Sequence, residues 1–346
     1  MSTQKALFLT KSKGDFAVLE REVDEPGPGE ILVEVRAAGL NPVEYQIQKY
    51  DFLIKEYPAV LGTDVAGVVV KVGAGVTNVA VGDKTFHQGN FNNRYAAYQQ
   101  YTIANADIVA KIPSNLTFEQ AASLPVALAT SAVGLYNPKS GGGLGLTPAW
   151  EAGGRGKYAG EPILILGGAS AVGQAAIQFA RLSGFAPILT TASPHNEAYL
   201  KSLGATHVLD RALPLAGLPA AVAALAGAPL KHAYDAVSSR ETTRAALSAL
   251  APGGGLAYVL PDTLDEGAVT DGKEAVFVYG QANEPHARAL AASLYAHITQ
   301  LLEAGDIKPN NIEVVPGGLA GIPKVLERFA KGVSALKMVA HPQENL

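Results

Sequence analysis

Along residues 1 to about 110, short apolar runs either alternate with polar residues, as in Ile31-Leu-Val-Glu-Val-Arg36, or saturate with β-branched side chains, as in Ala66-Gly-Val-Val-Val-Lys-Val72. Turn-forming stretches such as Glu25-Pro-Gly-Pro-Gly29 separate them, and together they predict a β-rich region. A helical period begins at Phe118-Glu-Gln-Ala-Ala, after the cap candidates Ser114 and Thr117. Beyond residue 160 the pattern changes. Apolar runs starting at Pro162, Ala186, His207, His232, Gly255 and Val276 alternate with helical segments. Six strands spaced by helices predict a doubly wound parallel sheet. A helical stretch over 286–304 and two short strand-like runs, Ile312-Glu-Val-Val and Lys337-Met-Val-Ala, close the chain.

Between the two patterns lies a glycine-rich segment, Tyr136 to Gly160, that holds the only tryptophan, Trp150. An irregular stretch of this length reads as a lid or binding loop, which places Trp150 at a substrate pocket, or as a surface insertion.

The sharpest local motif comes immediately after this segment. Pro162-Ile-Leu-Ile-Leu runs into Gly167-Gly-Ala-Ser-Ala-Val-Gly173 and then into an amphipathic stretch ending at Gly184. Strand, glycine turn and helix in that order make a dinucleotide cradle, where backbone N–H groups at a helix N-terminus meet a pyrophosphate. Gly168 and Gly173 take the outer positions, Ser170 stands where the middle glycine is usual, and Ala171 and Val172 open the helix. An acidic residue about 20 positions on would clamp the ribose of NAD. The second strand ends instead in Thr191-Ala-Ser193-Pro-His195-Asn196, and the first acid is Glu197. With Arg211 after the next strand as a cation for a 2′-phosphate, the pattern favours NADPH (NADP+) over NADH.

Composition narrows the chemistry. The chain has no cysteine, which removes disulfides, thiolate nucleophiles and cysteine zinc ligands at once. A net charge of −4 offers no field to draw nucleic acid or an anionic membrane. The apolar run at the N-terminus is too short for a signal peptide, and Ala212 to Leu230 is interrupted by three prolines, so the expectation is a soluble, cytoplasmic protein.

Four separated stretches together resemble the medium-chain dehydrogenase/reductase superfamily: Gly39-Leu-Asn-Pro-Val-Glu44, Gly62-Thr-Asp-Val-Ala-Gly through Val81-Gly-Asp83, Ala121-Ala-Ser-Leu-Pro through Thr130, and the glycine turn. The resemblance spans essentially the whole chain and lies nearest the zinc-independent quinone oxidoreductases and fungal enoyl-reductase-like proteins. It implies an α/β fold: a Rossmann domain with a doubly wound parallel sheet plus a GroES-like, β-rich catalytic domain. The catalytic Gly-His-Glu of the zinc enzymes is here Gly62-Thr63-Asp64, so the ligating histidine is missing and no metal site is expected. The reaction implied is reduction of an enone, enoyl or quinone acceptor by hydride.

By the same resemblance Asn41 lies in the substrate pocket, Thr130 contacts the nicotinamide, and Ser238, Val259, Leu260, Val278 and Tyr279 close the carboxyl ends of strands on the cofactor. Tyr45 and Tyr50 follow the Asn-Pro segment, and either one of them or water supplies the proton. His87 and Tyr95, in a polar aromatic stretch after Gly82-Asp83, line the cleft or form a surface turn. Residues 1–125 and 286–346 are expected to form the substrate domain and 126–285 the nucleotide domain, with the active site between them. A homodimer paired along Ala275–Tyr279 is the expected assembly, unless the 136–160 segment covers that edge. Three readings stand: a reductase of small enones or quinones, a trans-acting enoyl reductase for a carrier-bound acyl or polyketide chain, and a non-catalytic NADPH-binding protein.

Overall fold

The computed structural model describes residues 2–344. The chain forms two compact units. One comprises the residues up to Val126, Tyr295–Glu303 and the chain from Pro309 on; the other comprises Ala127–Leu294 and Ala304–Lys308.

The first unit is organised by the ten-residue strand Glu30–Gly39, whose Val33 and Val35 are wholly buried. It pairs antiparallel with Asp64–Val72, with Tyr101–Asn105 and, through its last residues, with Lys337–Ala340. A smaller sheet sets Thr3–Leu9 between Phe16–Glu22 and Ala59–Val60. Leu7, Leu9, Val35, Ile47, Leu61, Val65 and Tyr98 meet in one core. The register at the end of the long strand brings three distant parts of the chain together. Gly39 stands opposite Asp64 on one side and Val339 on the other. A side chain there has no room: a Cβ would lie 2.3 Å from the Ala122 carbonyl and 2.9 Å from Asp64 Cβ.

The second unit carries a six-stranded sheet, all parallel: His207–Asp210, Ile188–Ala192, Ile163–Leu166, His232–Asp235, Gly255–Tyr258 and Glu274–Phe277 across its width. In chain order this is third, second, first, fourth, fifth, sixth. The order reverses between Ile163–Leu166 and His232–Asp235, and the crevice at the carboxyl ends of strands at such a switch is where open α/β sheets take ligands. The run Ile163-Leu-Ile-Leu166 is apolar throughout because both its faces are covered. The fifth and sixth strands stop at Tyr258 and Phe277, so Val259, Leu260, Val278 and Tyr279 fall just beyond them rather than within. Residues 212–230 fold as a 3-10 turn and a short helix, Leu218–Ala226, and no helix among the described residues is long and apolar enough to cross a membrane.

The helix Pro285–Glu303 is divided between the units at 294/295, later than the expected 286. Hydrogen bonding accounts for this. In its first half Asn137 Nδ2 donates to the His286 carbonyl at 2.9 Å and Trp150 Nε1 to Ser293 Oγ at 3.0 Å, all within the second unit. In its second half the Tyr295 hydroxyl accepts from Gln88 N at 2.9 Å and Thr299 Oγ1 donates to the Lys111 carbonyl at 2.7 Å, within the first.

The last part of the glycine-rich segment, residues 156–158, lies away from the glycine turn. Gly156 and Tyr158 donate backbone hydrogen bonds to the carbonyls of Leu182 and Ser183, and the Tyr158 ring stacks on Phe185 at 4.9 Å. Those groups end the helix Ala171–Ser183, whereas the glycine turn begins it, roughly 18 Å away at 1.5 Å per residue. Trp150 packs edge-on against Tyr136 at 5.1 Å and lies 5.5 Å from Phe179, so it braces this helix instead of lining a substrate pocket. The segment also reaches the outermost strand, where a Cβ on Gly142 would come within 2.6 Å of the Phe277 carbonyl.

Trp150→Ala is expected to lower the free energy of unfolding by about 3 kcal/mol, the order seen when a large aromatic is removed from a packed site, while moving cofactor affinity less than about twofold. Urea unfolding and a fluorescence titration with NADPH measure both; weakened cofactor binding at unchanged stability would restore the lid.

Candidate active site

In the first unit the helix Pro42–Tyr50 begins at Asn41, with proline in its first turn and Glu44 reaching back to accept from Asn41 N at 2.6 Å. The Asn41 side chain is held by Asp64 and Lys337. Asn41 Nδ2 donates to Asp64 Oδ2 at 2.9 Å, and Asn41 Oδ1 accepts from Lys337 Nζ at 2.6 Å. Lys337 also bonds Asp64 Oδ2 at 2.5 Å, and Asp64 Oδ1 accepts from Val126 N at 2.6 Å. Asn41, Asp64 and Lys337 are 6%, 0% and 4% exposed, so the ion pair is fully desolvated. Lys337 on the amide oxygen and Asp64 on the nitrogen fix which end of the amide is which. One N–H of Asn41 is left over as a donor of known direction.

Glu44 lies against this network. Burial pushes its carboxyl up to about 8, opposed by the Lys337 ammonium. Its Oε1 lies beside the Tyr98 hydroxyl, which burial, together with the nearby Glu44 and Asp64 carboxylates, holds well above the usual tyrosine range.

The remaining predicted residues of this unit are dispersed. Tyr50 ends the helix that Asn41 starts, roughly 13 Å along the axis, and is 65% exposed; Tyr45 is half-buried and packs on the hydrophobic core. Tyr50, Tyr45 and Asn41 therefore do not form one constellation. His87 belongs to the strand Lys84–Gln88 and not to a loop; it is 1% exposed, neither ring nitrogen has a partner, and burial pushes it down to about 3, leaving it neutral. The Tyr95 hydroxyl donates to Glu30 Oε1 at 2.6 Å beside the Arg94–Glu30 ion pair, which ties its turn to the start of the long strand.

In the second unit the glycine turn has the shape its sequence requires. Gly167, which lies outside the outer pair of the motif, adopts φ +74°, a conformation that favours glycine. Its N–H donates to Thr191 Oγ1 at 3.1 Å, and Gly168 N donates to the Thr191 carbonyl at 3.0 Å. A Cβ on Gly168 would lie 2.1 Å from Thr190 Oγ1, and one on Gly173 2.3 Å from the Gly167 carbonyl. Ser170 caps the helix by accepting from Gly173 N at 3.0 Å, so the N–H groups of Ala171 and Val172 have no intrahelical partner and can receive an anion. This cradle fits a dinucleotide pyrophosphate. At the end of the second strand Ser193 is half-exposed, His195 exposed and Asn196 buried, and Glu197 is drawn off to Lys201 at 2.7 Å. Arg211 is exposed and its N–H donates to the Ala192 carbonyl at 2.9 Å, which sets it beside Ser193.

Other predicted contacts turn inward. Ser238, at φ +54°, donates to the Asp235 carbonyl at 2.7 Å and accepts from Val259 N at 2.7 Å, linking the ends of the fourth and fifth strands. The Thr130 carbonyl accepts from the buried Tyr234 hydroxyl at 2.9 Å, and a Cβ on Gly280 would lie 2.3 Å from Thr130 Oγ1, so Thr130 and the Val278-Tyr279 segment are neighbours. Leu260 is 37% exposed.

At the position of the zinc enzymes' Gly-His-Glu the residues do not suit a metal. Thr63 Oγ1 is buried without a partner, Asp64 is committed to Lys337, Asn41 and Val126, and no group of three or more ligating side chains occurs among the described residues.

Residues 27–114 match the alcohol dehydrogenase GroES-like domain family, and residues 171–262 the zinc-binding dehydrogenase family. The chain is 30% identical to a trans-enoyl reductase of Penicillium sp, over 98% of both proteins. It is also 30% identical to the enoyl reductase component of lovastatin nonaketide synthase of Aspergillus terreus, over 90% of this chain and 88% of that one. An alcohol dehydrogenase superfamily protein from Novosphingobium aromaticivorans shares the fold, with a TM-score of 0.80 at 24% identity over 97% and 98% of the two chains. The chain belongs to the medium-chain dehydrogenase/reductase superfamily, in its fungal enoyl-reductase-like branch, and is an oxidoreductase of the kind that uses a nicotinamide cofactor.

Lys337→Met strands the Asp64 carboxylate and is expected to cost about 3–5 kcal/mol of stability, with Asp64→Asn in the same chain recovering much of it. Urea midpoints of the single and double variants decide this, and equal midpoints for Lys337→Met and the unaltered chain would mean that the pair carries nothing.

Glu44 makes a second expectation. Its carboxyl ionises near 4.5 when unfolded and near 8 when folded. The folded state thus holds an extra proton between those values, and stability falls as pH rises through that window. Glu44→Gln, which keeps the cap acceptor, should gain on the unaltered chain from pH 5 to pH 9 (~4.5 to 8 being the active window). Parallel unfolding midpoints across that range would contradict it.

Proposed function

We propose that the protein is an NADPH-dependent, zinc-independent enoyl reductase that reduces the double bond of an α,β-unsaturated thioester carried on a partner protein. The observation that carries the reading is the locked Asn41 amide, a buried donor whose direction is fixed by Lys337 and Asp64. Such a donor suits a carbonyl oxygen on which negative charge accumulates as its conjugated double bond is reduced. The nicotinamide, when bound, supplies a hydride to the β-carbon. Gly168, Gly173, Ala171 and Val172 would hold the pyrophosphate. Thr191 supports that turn from behind, and Ser193, His195, Asn196 and Arg211 would receive the 2′-phosphate. Thr130 with Val278 and Tyr279 would border the nicotinamide end. Water supplies the proton to the α-carbon, since Tyr50 faces solvent at the far end of the helix from Asn41.

The relatives named as trans-enoyl reductases, and one named as the enoyl reductase component of a nonaketide synthase, support a carrier-bound chain over a free quinone. This reading carries a cytoplasmic location and, because Gly142 and Lys139 of the 136–160 segment lie against Glu274–Phe277, a monomer rather than a homodimer paired along that strand.

The test is oxidation of NADPH and NADH by the purified protein with a benzoquinone, a linear enone, an enoyl thioester and a plain aldehyde. Turnover of the thioester with NADPH, at a kcat/KM about tenfold or more above that with NADH and with the aldehyde inert, is the expected result. Preference for the quinone, or for NADH, would overturn the assignment.

A further inference from the structure

From the geometry we infer that a basic groove on the first unit is the docking surface for the acidic carrier domain that presents the acyl chain; the inference rests on the carrier-bound reading above. A cavity of about 680 Å³ opens between the helix Pro42–Tyr50 and the stretch from Gly318–Leu326 into residues 327–331. Lys13, Lys49, Lys324, Lys331 and Arg328 line it against one carboxylate, Glu327. Arg328 is engaged by Glu313 and Asp51 interacts electrostatically with Lys13, but Lys49, Lys324 and Lys331 are exposed and stand in no ion pair among the described residues. In a chain of net charge −4 this is a concentrated positive field in a concave place, of the kind that steers an anionic partner.

The chemistry of the lining selects the partner. Flexible ammonium groups around an open floor suit carboxylates spread over a protein surface and a phosphodiester, not a small molecule needing enclosure. The overall negative charge opposes a nucleic acid. The groove is also connected to the reduction site by one element. Asn41 caps the helix whose eighth residue is Lys49, roughly 12 Å farther along the axis, a span that a phosphopantetheine arm covers.

The experiment compares crotonyl thioester on the phosphopantetheinylated carrier domain of a fungal highly reducing polyketide synthase with crotonyl-N-acetylcysteamine, at low and high salt. The expected result is a kcat/KM about tenfold or more in favour of the carrier-bound form at low salt, lost at high salt. Lys13→Glu, Lys49→Glu and Lys331→Glu together should raise KM for the carrier-bound form about tenfold and leave the free thioester within about twofold. The same three positions changed to Gln should give a smaller effect in the same direction and guard against a folding defect. Equal use of both substrates by the unaltered protein overturns the docking surface, as does a charge reversal that affects neither substrate or both alike. No turnover of either substrate overturns the reductase reading itself, which is a different result.

Discussion

The buried pair of Lys337 and Asp64 is the constraint on which the first unit turns. Removing two charges from water costs several kcal/mol each, and attraction repays that only when every remaining lone pair and proton is also bonded. Here both oxygens of Asp64 are taken, by Val126 N, Asn41 Nδ2 and Lys337 Nζ. The arrangement therefore tolerates one register only. Asp64 must stand opposite Gly39, Val339 must stand on the other side of it, and Gly39 must lack a side chain, because a Cβ would come within 3.0 Å of Lys337 Cε. A hydrophobic pair would pack as well at lower electrostatic cost, but it would leave the Asn41 amide free to turn over.

The features legible in the sequence are those that local order determines. Strand, glycine turn and helix at 162–184 are legible because the cradle is built from consecutive residues, each with a steric reason to be small or apolar. The six-stranded parallel sheet is legible in the spacing of apolar runs for the same reason. Lys337 is not: it opens an apolar strand run and meets Asp64 across 273 residues of chain, and no periodicity signals a contact of that range. Glu44 reads as an ordinary first-turn acid, and only its burial distinguishes it.

The misplacements share a cause. Phe86-His-Gln-Gly-Asn looks like a loop because polar residues interrupt the apolar pattern, yet Thr85, His87 and Gln88 are all within 3% of full burial on the strand. Trp150 looks like a pocket residue because it sits in an irregular glycine-rich stretch, whereas its indole is spent on holding that stretch to a helix. Sequence pattern reports polarity and propensity; it does not report which way a polar group faces once tertiary hydrogen bonds compete for it.

That competition also explains the inward-turned hydroxyls of the second unit. Strand ends leave N–H and C=O groups that the ladder no longer satisfies, and a buried orphan is costly. Ser238 and Thr191 meet this need, the one joining Asp235 to Val259, the other holding Gly167 and Gly168. Their residue type is what a ribose or phosphate contact would also require, so chemistry alone could not separate the two roles. Rigidity is the common term: a glycine turn offers N–H groups to an anion usefully only if its backbone is held from behind. Thr191 fixes the turn from behind, and on the reading proposed above the groups that would touch phosphate are Ala171 N and Val172 N for the pyrophosphate and Ser193, His195, Asn196 and Arg211 for the 2′-phosphate.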